Sequence, residues 1–97
     1  MTYKFKAEVW LYPGAVAAWH FVSLPKKLTL NLRKKYKNLH RGWSSLRVKA
    51  TCGKTAWRTS IFYDKRSESY LLPLKAQIRK KEDIFAGDKV NFQIEIM

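Results

Sequence analysis

A chain of 97 residues has room for one packed core and no more, because a domain of this size buries only roughly 60–70% of the surface its unfolded form exposes. Its 46% hydrophobic content, with 4 Trp, 5 Tyr and 5 Phe, excludes a solvated, disordered polymer. Twenty Lys and Arg against seven Asp and Glu leave a net charge of +13, which points toward anionic partners.

Read from the start, Tyr3, Phe5, Ala7 and Val9 alternate with Lys4, Lys6 and Glu8, the period of a strand with one buried face; the pattern predicts a strand over 3–12 that Pro13-Gly14 ends. That alternation is not a signal peptide, and no apolar run approaches the length of a membrane span. After a small-residue connection at 15–18, a second strand is expected over 19–24. There Leu24-Pro25 closes it, and the spacing of Leu28, Leu32 and Tyr36 with Arg33-Lys34-Lys35 on the other side predicts a helix. A turn at His40-Arg41-Gly42 leads to a third strand, with Leu46, Val48, Ala50 and Cys52 on its buried face.

The order then repeats. Past the Gly53-Lys54 turn, Trp57, Thr59, Ile61 and Tyr63 mark a fourth strand, and 64–69 reads as a polar hairpin loop. A fifth strand ends at Leu72-Pro73, Leu74 and Ile78 give a second helix its buried side, and Gly87-Asp88 turns the chain into a sixth strand carrying Val90, Phe92, Ile94 and Ile96. The pattern is strand, strand, Leu-Pro, helix, Gly turn, strand, written twice, over about 3–52 and 55–97. Six half-buried strands and two short helices are expected to form a single mainly β domain. Two helices cannot cover an open six-stranded sheet, so closure into a small β-barrel is expected. Phe5, Trp19, Phe21, Trp57 and Phe92 are expected inside it, with most of the tryptophans in the core.

Several stretches together resemble a small prokaryotic family known as a domain of unknown function: Trp19-His20-Phe21-Val22-Ser23-Leu24-Pro25, Gly42-Trp43-Ser44-Ser45, Trp57-Arg58-Thr59-Ser60-Ile61-Phe62, Tyr70-Leu71-Leu72-Pro73-Leu74-Lys75 with Ile78-Arg79-Lys80, and Gly87-Asp88-Lys89-Val90. The resemblance covers nearly the whole chain and implies a six-stranded double-split β-barrel built from two ββαβ units. More remotely, the Leu-Pro, helix, Gly-Asp, strand unit resembles the swapped-hairpin barrel of AbrB-type transcription factors and antitoxins, which complete one barrel from two chains. Two such units in one chain imply an intramolecular barrel and a monomer.

Two groups of residues could carry function. Between positions 26 and 49 stand Lys26, Lys27, Arg33, Lys34, Lys35, Lys37, Arg41, Arg47 and Lys49 without one acidic residue, and Tyr36 and Trp43 lie among them. Cations beside aromatic faces suit nucleic acid or another polyanion; the plainer reading is a solvated helix face with two core aromatics. The second group is Trp57, Arg58, Thr59 and Ser60 with Lys75 and Arg79, hydroxyls and cations that could grip a small anion or ligand. Its alternative is structural, with Arg79 paired to Glu82 or Asp83. A third reading makes the whole chain a structural, partner-binding domain.

Catalysis has little to stand on. No nucleophile has a base at a recognisable spacing, and paired carboxylates, a phosphate-cradling glycine loop and a zinc quartet are all missing from the pattern, so no metal or cofactor is expected. An enzyme stays open only because distant groups can meet in space. The lone Cys52 cannot form an internal disulfide, which fits a reducing, cytoplasmic setting.

Overall fold

The computed structural model describes residues 1–13, 19–39 and 45–97. Its strands are β1 (Thr2–Glu8), β2 (Trp10–Leu11), β3 (His20–Ser23), β4 (Ser45–Cys52), β5 (Thr55–Asp64), β6 (Ser69–Pro73) and β7 (Lys89–Ile96); its helices are α1 (Lys26–Lys35) and α2 (Ala76–Glu82). A 3₁₀ turn, Lys37–Leu39, follows α1. The seven strands form one antiparallel sheet in the order β1-β7-β4-β5-β6-β3-β2. The fold is mainly β, a curled, barrel-like sheet with two helices.

The strand expected over 3–12 is two strands, and Val9 is the reason. Its amide donates to the Asp88 carbonyl at 2.9 Å and its carbonyl accepts from the Gly87 amide at 2.7 Å, so it leaves the straight ladder to meet the turn before β7. Both backbone groups stay paired through the bend. The two edges of the sheet are therefore consecutive pieces of one stretch of chain: β1 lies beside β7 and β2 beside β3.

Alternation decides what faces inward. Leu46, Val48, Ala50 and Cys52 of β4 are buried, as are Ile61 of β5, Tyr70 and Leu72 of β6, and Phe92 and Ile94 of β7. With Phe5, Val9, Val22, Leu24 and Leu32 they form one continuous apolar core. At roughly 25 cal/mol per Å² of apolar surface, each of the Val, Leu, Ile and Phe side chains here stabilises the fold by about 1.5–3 kcal/mol before entropy is subtracted.

The β4–β5 hairpin needs only Gly53 and Lys54 between paired Cys52 and Thr55. Gly53 has φ 59°, the first central position of a type II′ turn, where a side chain would be strained. A Cβ there would also run into the Glu82 carboxylate, which accepts a 2.6 Å bond from Thr55 Oγ1 and so fixes the end of α2 to this hairpin.

Both helices start after proline, though not identically. Pro25 is the residue just before α1, whose buried side is Thr29 and Leu32, and Arg33, Lys34 and Lys35 complement the negative end of its dipole. Thr29 Oγ1 accepts from the Tyr70 amide at 3.3 Å, tying α1 to β6. The second helix begins later than the expected Leu74: the Leu74 amide still donates to His20 O in strand fashion, and the helix starts at Ala76. It ends at Asp83 in the left-handed region, φ 55°, a conformation that Asp tolerates better than most residues.

The expectation for the aromatics needs correcting. Phe5 and Phe92 are inside, stacked at 5.7 Å, and half-buried Trp57 packs against the core, whereas Trp19 is 59% exposed and Trp10 is half-buried. Phe21 is buried but stands on the outer face, because its neighbour Val22 takes the inward position opposite Leu72. The expected second strand is correspondingly shorter, beginning at His20. Trp43, and the turn at 40–42, lie outside the described residues.

Candidate functional site

The nine cations of the basic segment do not behave alike. Lys26, Lys27, Lys34, Lys35 and Lys37 are exposed on α1 and the turn after it. Arg33 is turned inward, its guanidinium 3.7 Å from the centre of the Tyr63 ring. It also moderates the neighbouring Tyr70 hydroxyl, which burial pushes up to about 12. Tyr36, which looked available for stacking, shares a 3.1 Å hydrogen bond with the Tyr3 hydroxyl; that bond, more than burial, raises its pKa. Leu30, at the centre of the helix's solvent side, is 67% exposed.

Arg47 and Lys49 project from the outer face of β4, opposite Ser60 and Arg58 of β5; on its other side Lys49 faces Glu95 of β7. The segment thus presents its charge in two places, on α1 and on the outside of β4. Arg41 lies outside the described residues.

The second group divides by strand geometry. Residues directly opposite one another share a face, and Trp57 and Thr59 lie opposite the buried Ala50 and Val48, so they face inward. Arg58 and Ser60 face out. Trp57 Nε1 is buried without a hydrogen-bond partner among the described residues. Lys75 and Arg79 come together elsewhere, in a groove of about 480 Å³ whose other walls are Trp19, His20, Phe21, Pro73, Leu74 and Ala76. None of Trp57, Arg58, Thr59 and Ser60 lines that groove. Glu82 accepts from Thr55, and Arg79 makes its contacts with Leu74 and His20. The Arg79 Nε donates to Leu74 O at 3.1 Å, and its Nη1 lies 3.5 Å from His20 Nε2.

This groove continues along the outside of the sheet into a second, of about 560 Å³, lined by Trp19, Phe21, Phe62, Tyr63, Leu71 and Pro73. Sequence reasoning missed it. The signal was present in Trp19-His20-Phe21-Val22 and Tyr70-Leu71-Leu72, strands apolar at successive positions and therefore on both faces.

No group of three or more His, Cys, Asp or Glu able to hold a metal forms among the described residues. Cys52 is buried, and burial, with Glu82 nearby, raises its thiol pKa, the opposite of an activated nucleophile. Among the described residues no helix is long and apolar enough to cross a membrane.

Comparison with known families adds one decisive match: the model of a domain of unknown function, DUF1905, aligns with residues 5–94. The chain belongs to the DUF1905 family. A search of curated proteins finds no significant match. The DUF1905 region takes in the core, the exposed lysines of α1 and both parts of the outer groove.

Proposed function

We propose that this DUF1905 domain is a non-catalytic binding module that engages nucleic acid, or a polyanion like it, through phosphate contacts to its basic face. The single observation behind the reading is the run of exposed lysines at 26, 27, 34, 35 and 37 in a segment free of acidic residues. Arg47 and Lys49 add a second group of cations on the outer face of β4. Because Arg33 stacks on Tyr63 and Tyr36 bonds to Tyr3, the helix offers charge and not a stacking platform. The module reads the backbone and is indifferent to sequence.

The test is fluorescence anisotropy of labelled single- and double-stranded DNA and RNA across a salt series. Affinity is expected to fall with a log–log slope of about −0.9 per phosphate contacted on duplex DNA. Reversing Lys26, Lys27, Lys34 and Lys37 to Glu abolishes binding while leaving the circular dichroism spectrum unchanged. Unchanged affinity in that variant overturns the reading.

We further propose that the sheet is a double-split barrel of six strands, counting β1 and β2 as one strand bent at Val9. Exchanging that strand with β5, β3 with β6, α1 with α2 and β4 with β7 carries the strand order onto itself, as two pseudo-repeated ββαβ units require. Both units lie in one chain, which favours a monomer. The likeness to AbrB-type barrels is of the same kind and lends the polyanion reading only an analogy. Sedimentation equilibrium checks the monomer.

A further inference from the structure

We propose that the outer groove across β3 and β6 is a binding site for a small aromatic monocarboxylate, separate from the basic face of α1. Its apolar wall is built from Trp19, Phe21, Leu71, Pro73 and Phe62. Two of these side chains are already 8% exposed or less, Phe21 and Leu71, so they form a floor; Trp19 and Phe62, 59% and 40% exposed, stand up as sides. The Trp19 and Phe21 rings meet edge to face at 6.3 Å, and the rings of Trp10 and Tyr12 also pack on Phe21, at 5.3 and 6.0 Å. A floor fixed in this way favours a flat ring over a flexible chain.

One end of the groove is cationic. Arg79 is held by its own Nε bond to Leu74 O, so its outer nitrogens are positioned before any ligand arrives, and exposed Lys75 stands near it. Among the described residues no Asp or Glu lines either part of the groove. Past Arg79 the next depression includes Asp83, so the stretch suited to an anion ends at the guanidinium. A carboxylate there accepts charge-assisted hydrogen bonds while its ring covers the apolar floor. The volumes, about 480 and 560 Å³, lie within the 300–1,000 Å³ common for small-molecule sites. Charge complementarity and size together select a small amphipathic anion over a protein strand.

The probe is 2-naphthoate, with 2-naphthylmethanol as its neutral counterpart, titrated into the ¹⁵N-labelled protein and followed by amide shifts and calorimetry. Naphthoate is expected to shift the amides of His20, Phe21, Leu74 and Arg79 and to bind roughly tenfold or more tightly than the alcohol, as one charge-assisted contact provides. Arg79→Met removes that preference. Trp19→Ala weakens both probes. Should Arg79→Met disturb the fold by freeing Leu74 O, Lys75→Gln, at an exposed position, is expected to reduce the preference several-fold. Equal binding of the two probes, shifts confined to α1, no binding at millimolar naphthoate, or a preference untouched by both substitutions each overturns the proposal. Lys34→Glu with Lys37→Glu leaves naphthoate binding unchanged, which separates this site from the polyanion reading.

Discussion

Strands β4 and β6 lie on either side of β5 in the same sheet, yet they treat their outer faces in opposite ways. On β4, buried Leu46, Val48, Ala50 and Cys52 alternate with half-buried or exposed Ser45, Arg47, Lys49 and Thr51. On β6, four successive residues, Ser69, Tyr70, Leu71 and Leu72, are buried. The first strand has one apolar face and meets water with the other. The second has two, because Phe21 and Phe62 flank Leu71 on the outside. One sheet thus divides its exterior into a charged region and an apolar one.

Removing an inner side chain of β6 is expected to have the largest effect. Leu72→Ala opens a cavity in the core and lowers unfolding free energy by about 3–4 kcal/mol, within the ~2–5 kcal/mol seen for such truncations, as urea denaturation will show. Next is a pH effect at its inward neighbour. Tyr70 has a folded pKa of about 12 against an ordinary 10.0, so it keeps its proton where the unfolded chain loses it. The stability it contributes is fully present below pH 10 and is lost as pH rises toward about 12, on the order of 2–3 kcal/mol at ~1.4 kcal/mol per unit. Denaturation curves at pH 9, 10 and 11 are expected to show a steeper decline for the wild type than for Tyr70→Phe, in which the lysines still titrate.

On the outer faces the two strands separate. Leu71→Ala costs about 2 kcal/mol, less than Leu72→Ala because the surrounding rings can close over the gap, whereas Arg47→Ala at the corresponding outer face of β4 stays within about 0.5 kcal/mol. Equal costs would erase the distinction between the two exteriors. The smallest change belongs to Trp19→Ala: at 59% exposure it leaves the midpoint of thermal unfolding nearly unmoved, while its loss of intrinsic fluorescence reports how much of the wild-type signal comes from the groove.

Much of this architecture is legible in the residues. Period-two alternation marks β4, β5 and β7; Pro25 foretells the start of α1; and Gly53 and Gly87 occupy the positive-φ turns that their position suggests. What hydrophobicity alone leaves open is the direction of an aromatic ring. Trp19 has the composition of a core residue, and only the register that points Val22 inward puts Phe21 outside and leaves Trp19 at the surface. Lys75 and Arg79 are legible as neighbours four apart; their companions His20 and Trp19 are not, since they come from the start of β3 and the residue before it, more than fifty positions away. Charge is legible as a total, but which cation is free is not. Arg33 counts among the nine in the sequence and spends its guanidinium on Tyr63 in the fold.

The bend at Val9 has a consequence for the order in which the molecule is made. Strand β7, the last of the seven described, sits between β1, the first, and β4. Until it arrives, β1 and β4 each show an unpaired ladder of amides and carbonyls, and Val9 has no Gly87 or Asp88 to hold it. Pairing ends so distant in sequence is entropically costly, placing folding in the slower range for domains of this size, milliseconds to seconds. During synthesis both edges stay open until β7 has left the ribosome, so the growing chain passes through an adhesive stage that the finished sheet hides.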